Sequence, residues 1–347
     1  MIDYLIIGSG LAGIAFAEKA LENNKSIYVI DANLQNSSRI AGGLYNPVIL
    51  KRFSSVWQAN EQLVLLDEFY DKIEKKLNCQ FNFRIPILRK FYSIEEQNNW
   101  FIASDKKDLA PYLSTKLISK KIAGIDSPHD YGEVNHTGYV DVALLIEKYK
   151  EFLVINNQYL EEGFDYSLVI PREDCIEYKN IKAKHIIFAE GFGMHSNPYF
   201  NHLPLDGTKG ELFVIKAPLL DLNVIVNTSV FILPLGNHMF KVGATYNWQD
   251  KTNTPTEEGK QELIDRIKEI LNCDFEIVSH FAGVRPTVKD RKPIIGTHQE
   301  YNRIHLLNGL GTRGVMIAPD MAKALFENIE FNTPLDKVID IKRFDKK

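Results

Sequence analysis

The 347 residues carry 41 Lys and Arg against 45 Asp and Glu, a net charge of −4. That balance offers no electrostatic case for nucleic acid or an anionic membrane. With 45% hydrophobic and 25% charged residues the chain is not disordered, and its length suits about two domains.

Cys79, Cys175 and Cys273 are odd in number, far apart and without metal-ligand spacing, so neither a disulfide framework nor a metal centre is expected. No apolar run reaches membrane-spanning length, and the first residues read as a strand rather than a secretory leader. A cytoplasmic location is the default expectation. The basic pairs Lys120-Lys121, Lys342-Arg343 and Lys346-Lys347 read as solvated faces.

Tyr4 to Ile7 is a short apolar run bounded by glycine, as a buried parallel strand should be. Gly8, Gly10 and Gly13 then form G-x-G-x-x-G. Leu11 and Ala12 open a helical pattern whose polar positions are Glu18, Lys19 and Glu22. Ser26 to Ile30 is a second strand, closed by Asp31-Ala32. The glycines permit a tight turn, approach of a pyrophosphate to bare backbone, and close packing of helix on strand. The helix N-terminus favours the anion, and Asp31 would accept hydrogen bonds from a ribose diol. The plain alternative is a glycine-rich turn in a ligand-free α/β protein, which a lone motif would leave open.

Next, Asn33 to Ser38 is polar and turn-like. Arg39-Ile40-Ala41-Gly42-Gly43-Leu44 and Asn46-Pro47 suit a backbone lying against something flat. Leu63 to Leu77 has helical spacing, and Phe81 to Ser93 turns β-like. Asp141 caps a helix from Val142 to about Phe152. Short strands around 166–170 and 176–179 precede a buried strand, His185 to Ala189, ending in Glu190-Gly191. The segment 211–246 reads as an antiparallel meander with a hairpin turn at Gly236-Asn237. A helix over Lys260–Leu271 and strands at 275–281 and 303–307 lead to a glycine loop and a last helix, Val315 to Ile329. The βαβ character is split between start, middle and end. An α/β fold follows, with one domain built from discontinuous segments and an antiparallel β domain inserted.

Three stretches together resemble the FAD-dependent D-amino-acid oxidase and glycine oxidase family. They are Gly8–Asp31 with Ser37-Ser38-Arg39-Ile40-Ala41-Gly42-Gly43; Ala282-Gly283-Val284-Arg285-Pro286 running into Lys289–Gly296; and Asn308-Gly309-Leu310-Gly311-Thr312-Arg313-Gly314 with Ala318-Pro319. The last two also look like the oxidase domain of bacterial tRNA wobble-uridine modifying enzymes. Asp31 stands where the family usually has Glu, and Glu190 interrupts the small residues usual after the middle strand.

The resemblance implies a Rossmann-like FAD domain (1–80, 140–210, 282–347) and a substrate domain (81–139, 211–281). It implies FAD held at Gly8, Gly10, Leu11, Ala12, Gly13, Asp31, Ala32, Ser38, Arg39, Gly42, Gly43, Leu44, Ala189, Gly191, Arg285, Gly309, Gly311, Thr312, Arg313 and Gly314. No cysteine lies between Gly283 and Pro319 to tether it, so the cofactor is expected to be non-covalent.

The implied chemistry is oxidation of the α-amine of a small amino acid to an imine by hydride transfer to flavin N5. Arg285 is the expected carboxylate clamp, the alternative being an ion pair with Asp290. The last glycine loop would stabilise charge on the flavin pyrimidine edge. Arg313 could face flavin, substrate or solvent, and Tyr246 could line the substrate cavity or pack in the core. His185 and His305 read as satisfied core residues. Other readings are the tRNA-modifying oxidase, disfavoured by the acidic balance, and a non-catalytic flavin-binding protein. Oxygen or a quinone would reoxidise the flavin, and a homo-oligomer is possible.

Overall fold

The computed structural model describes residues 1–34 and 37–345, so Gln35, Asn36 and the Lys346-Lys347 pair lie outside the described residues. Ile2–Ile7 is the central strand of the first sheet. It pairs in parallel with Ile27–Ile30 on one side and Ile181–Phe188 on the other. Tyr159–Leu160 extends one flank and Ile304–Asn308 the other, both in parallel. An antiparallel meander, Val169–Pro171 and Ile176–Tyr178, and the edge strand Ile294–Thr297 complete this sheet.

Strand periodicity sorts the side chains of Ile2–Ile7 between two cores. Tyr4 and Ile6 enter the larger one, with the helices Leu11–Glu22, Ala59–Leu77, Val142–Ile155 and Gly314–Phe331. Leu5 and Ile7 enter the other, with Tyr178, Phe188 and Phe200. Helix Leu11–Glu22 is buried nearly all round, and Glu18, expected on a polar face, is only 2% exposed. Its carboxylate is compensated internally by Lys76 Nζ at 2.5 Å and the Tyr149 hydroxyl at 3.0 Å. His185 and His305 do satisfy each other: their ring nitrogens lie 2.9 Å apart, and His305 also meets Thr297 Oγ1.

The second sheet has eight strands, with Thr208–Lys216 between Glu276–Arg285 and Met239–Gly243. Phe231–Gly236, Ile225–Asn227, Ile87–Lys90, Tyr131–Val134 and Leu113–Ile118 follow in that order. Two expectations change here. The sheet is not wholly antiparallel, because Ile87–Lys90 comes from a distant segment and pairs in parallel with Ile225–Asn227. No hairpin constrains that pair's direction. The tight turn also centres one residue later than Gly236-Asn237: Gly236 pairs with Met239 across Asn237 and His238, and all three of Gly236, Asn237 and His238 have positive φ. Strand Thr208–Lys216 begins before the expected limit at 211, and Glu276–Arg285 runs past the one at 281.

The first glycine turn is held by contact, not by sequence preference alone. A Cβ on Gly13 would stand 1.9 Å from the Gly8 carbonyl oxygen, and one on Gly8, at φ +103°, 2.5 Å from the Ala189 oxygen. Helix Leu11–Glu22 therefore seats directly on its strand. Gly13→Ala is expected to cost about 2 kcal/mol through overpacking, read as a lower urea midpoint with unchanged slope.

Candidate active site

The parallel strands of the first sheet end along one edge at Ile7, Ile30, Phe188 and Asn308. Between this edge and the second sheet lies a cavity of about 640 Å³. Gly8, Gly10, Leu11, Ala12, Asp31 and Ala32 line it from the first turn, and Ser38, Gly42, Gly43 and Leu44 from the next segment. Ala189 and Gly191 close its middle. Gly311, Thr312, Arg313 and Gly314 line the start of the last helix, and Arg285 and Tyr246 reach in from the second sheet.

Three expected residues are not on this wall. Gly13 is spent on the contact with Gly8, and Gly309 packs against Val288 and Ile294. Arg39 stands within electrostatic reach of Lys150 and Glu161 instead. Gly42 and Gly43 do line the cavity, but their lack of side chains is demanded by the protein itself. A Cβ would meet the Phe231 ring at 2.5 Å in one case and the Val140 carbonyl at 1.9 Å in the other.

At the first sheet's edge, Asp31 accepts hydrogen bonds from Ser9 N at 2.6 Å and Ser9 Oγ at 2.5 Å, which fix its carboxylate. The N-cap of helix Leu11–Glu22 is Gly10, with no side-chain cap, and Ser38 Oγ stands 3.5 Å from Leu11 N. Uncapped N–H groups beside a bare glycine backbone fit a pyrophosphate, and the fixed acid fits a ribose. Glu190 also lines the cavity, and its carboxylate accepts from the Tyr166 hydroxyl at 2.5 Å and from Asn197 Nδ2 at 2.8 Å. Burial pushes its pKa up to about 7.

At the other end the charges are positive. Arg285 lies opposite Thr208 in register, so its guanidinium reaches diagonally across Gly210. A Cβ on Gly210 would fall 2.0 Å from Arg285 Nη2, and Tyr246 covers the other face with its ring centroid 4.6 Å from Cζ. Its hydrogen bond is Nη1 to the Thr245 carbonyl at 3.4 Å. The alternative pairing with Asp290 does not occur, because Asp290 binds Arg343 at 3.1 Å. Tyr246 is 58% exposed and is not a core residue. Arg313 lines the cavity rather than projecting into solvent and donates from Nη1 to the Asn46 carbonyl at 3.0 Å. Burial depresses the pKa of both arginines.

Sequence reasoning missed the supports around these groups. Lys241 is largely buried, which lowers its pKa, and it donates to the Ala41 carbonyl at 3.1 Å, tying the Gly42–Gly43 segment to the second sheet. Lys209, fully buried, binds Asp250 Oδ2 and the Thr254 carbonyl, each at 2.5 Å, and its backbone pairs with Asn247. It thereby fastens the strap 245–256 that presents Tyr246. The one available signal was alternation: Gly210 and Leu212 face the cavity, so Lys209 and Glu211 must face away.

A cleft of this kind, with an anion-binding helix start and buried guanidiniums on its wall, fits a dinucleotide-binding protein. The chain belongs to the DAO family of FAD-dependent oxidoreductases, whose model matches residues 3–328. It is 26% identical to glycine oxidase of Bacillus subtilis (strain 168) over 232 residues, 62% of this chain and 61% of that one. It is 21% identical over 356 residues to the bifunctional protein MnmC of tRNA 5-methylaminomethyl-2-thiouridine biosynthesis from Marinobacter nauticus, which covers 94% of this chain. The match spans 55% of that relative, so the chain corresponds to less than two thirds of either. In fold it superposes on glycine oxidase from Geobacillus kaustophilus with a TM-score of 0.78 over 99% of both chains, at 16% identity. No described helix is long and apolar enough to cross a membrane.

Two stability effects follow. Lys209→Met leaves Asp250 and Glu211 without their buried cation and is expected to destabilise the fold by about 3 kcal/mol, measured by urea unfolding. Glu190 has a folded pKa raised from 4.5 to about 7. Its contribution is therefore fully present below pH 4.5 and is lost as pH rises through 7. The stability of Glu190→Gln relative to the parent protein should rise across that window in parallel unfolding series.

Proposed function

We propose that this flavoprotein oxidises the α-amine of a small amino acid, of the glycine, N-alkyl glycine or D-amino acid type, to an imine that water hydrolyses. The carrying observation is Arg285, a cavity-lining guanidinium stacked between Gly210 and Tyr246 with no carboxylate at ion-pair distance among the described residues. A planar cation in such a slot wants a planar anion, and a substrate carboxylate supplies it in bidentate fashion.

FAD, when bound, supplies the acceptor for the hydride of the substrate α-carbon. The uncapped helix start and Asp31 hold its pyrophosphate and ribose, without a covalent link. In this reading the segments 1–80, 140–210 and 282–347 form the cofactor domain, and 81–139 with 211–281 the substrate domain. Arg285 fixes the carboxylate, and the Tyr246 ring limits how that end can tilt. The acids on the wall, Asp31 and Glu190, are engaged at the opposite edge, so no side-chain base is assigned. The amine loses its proton before hydride transfer.

A second reading, oxidation of a carboxymethylaminomethyl uridine in tRNA, draws on the match to MnmC over 94% of this chain. Against it stands the net charge of −4. Anaerobic mixing of the yellow protein with glycine, sarcosine, proline and D-amino acids decides between the two. Bleaching by one of them supports the amino-acid reading; bleaching by none, with retention on RNA at moderate salt, supports the second. Admitting air then separates oxygen from a quinone as acceptor. Arg285→Ala should lower kcat/KM for a carboxylate substrate about a hundredfold, the effect of roughly 3 kcal/mol of lost charge pairing. Steady-state kinetics with sarcosine would test it, and an unchanged value would remove Arg285 from the clamp role.

A further inference from the structure

Arg285 and Arg313 line the same cavity, and neither has an acid at ion-pair distance among the described residues. Arg285 reaches only the Thr245 carbonyl and the Tyr246 ring; Arg313 donates to the Asn46 carbonyl. Tyr246, whose ring lies over Arg285, lines this cavity together with both guanidiniums. Among the described residues the acids on the cavity wall are Asp31 and Glu190, and they are held by Ser9 and by Tyr166 and Asn197. A single substrate carboxylate therefore neutralises one guanidinium and leaves the other, partly desolvated, without an anionic partner, which is unfavourable.

Granting the amino-acid chemistry proposed above, we infer that the substrate is an amine carrying two carboxylates, of the N-carboxymethyl amino acid or amino dicarboxylate type. Arg285 holds the carboxylate beside the carbon that is oxidised, and Arg313 holds the second. The balance is unchanged. The α C–H gives its hydride to the flavin, the nitrogen gives its proton to solvent, and water splits the imine into an amine and a 2-oxo acid. The second carboxylate takes no part in bond changes; it selects and orients.

The test uses two thioethers that cannot be oxidised as amines and differ by one carboxylate, thiodiacetate and (methylthio)acetate. Each is titrated into the FAD-loaded protein at constant ionic strength, in phosphate- and sulfate-free buffer, and binding is read from the flavin absorbance. The expected result is at least tenfold tighter binding of thiodiacetate. Arg313→Gln should remove that preference, and Arg285→Gln should weaken both ligands. Equal affinities in the parent protein would overturn the second carboxylate while leaving the Arg285 clamp standing. Equal weakening of both ligands by Arg313→Gln would also overturn it, since Arg313 would then serve the flavin. Binding of neither ligand would overturn the clamp and the second carboxylate together. The comparison within the parent protein stands even if either variant fails to fold.

Discussion

Everything in this molecule is arranged around the edge where the parallel strands of the first sheet stop. Backbone groups at strand ends and helix starts are unpaired by necessity, and four such ends are brought to one line beside Gly8, Asp31, Ala189 and Asn308. The contact between Gly13 and the Gly8 carbonyl makes this possible, because it lets the helix begin immediately above its strand. A side chain there would lift the helix and carry its free N–H groups away from the edge. The binding cleft is thus a consequence of topology, and the second sheet only has to roof it.

The roof works by a different device. Gly210 and Leu212 of Thr208–Lys216 line the cavity, while the alternate residues Lys209 and Glu211 are not on its wall. On the cavity side, Gly210 leaves a flat strip of backbone on which the Arg285 guanidinium rests. On the reverse side, Lys209 and Glu211 anchor the strap 245–256 and the cap of helix Glu257–Lys268: Thr256 Oγ1 donates to Glu211 at 2.7 Å while accepting from Gly259 N at 3.0 Å. One strand therefore sets both the floor under the guanidinium and the tether of the tyrosine above it. Rotamer freedom of Arg285 is lost on folding rather than on binding, which is how a clamp is preorganised.

What could be read from the sequence divides along the same line. Gly8 to Asp31 was legible because its chemistry is local: turn, helix start and acid follow one another at fixed spacing. Arg285 was legible through the residues around it. Gly210 and the Lys241–Ala41 bond were not, since each acts on a partner far away in the chain and nothing in its own neighbourhood marks it. Glu18 reads as a surface residue until Lys76 and Tyr149 arrive from two other helices. Gly42 and Gly43 were singled out for a flat partner, and their lack of side chains is also required by Phe231 and Val140, which need the space. The hairpin turn shifted by one residue because strand register, not the preference of Gly-Asn, decides which pair forms the turn.

The cavity is also polarised, and this has a consequence for orientation. Arg285 reaches the cavity from the second sheet, while Asp31 stands at the end of Ile27–Ile30 on the first sheet's edge. A dinucleotide entering with its ribose towards Asp31 meets carboxylates only where a hydroxyl or a backbone-bound phosphate is presented. On the proposed reading, an amino-acid substrate would set its carboxylate at Arg285 and leave its amine pointing back along the cleft. Reversal would set the ammonium against Arg285 and the carboxylate towards Asp31, two repulsions in a poorly screened space. The direction in which a substrate lies is thus decided by charge placement before any specific hydrogen bond is made.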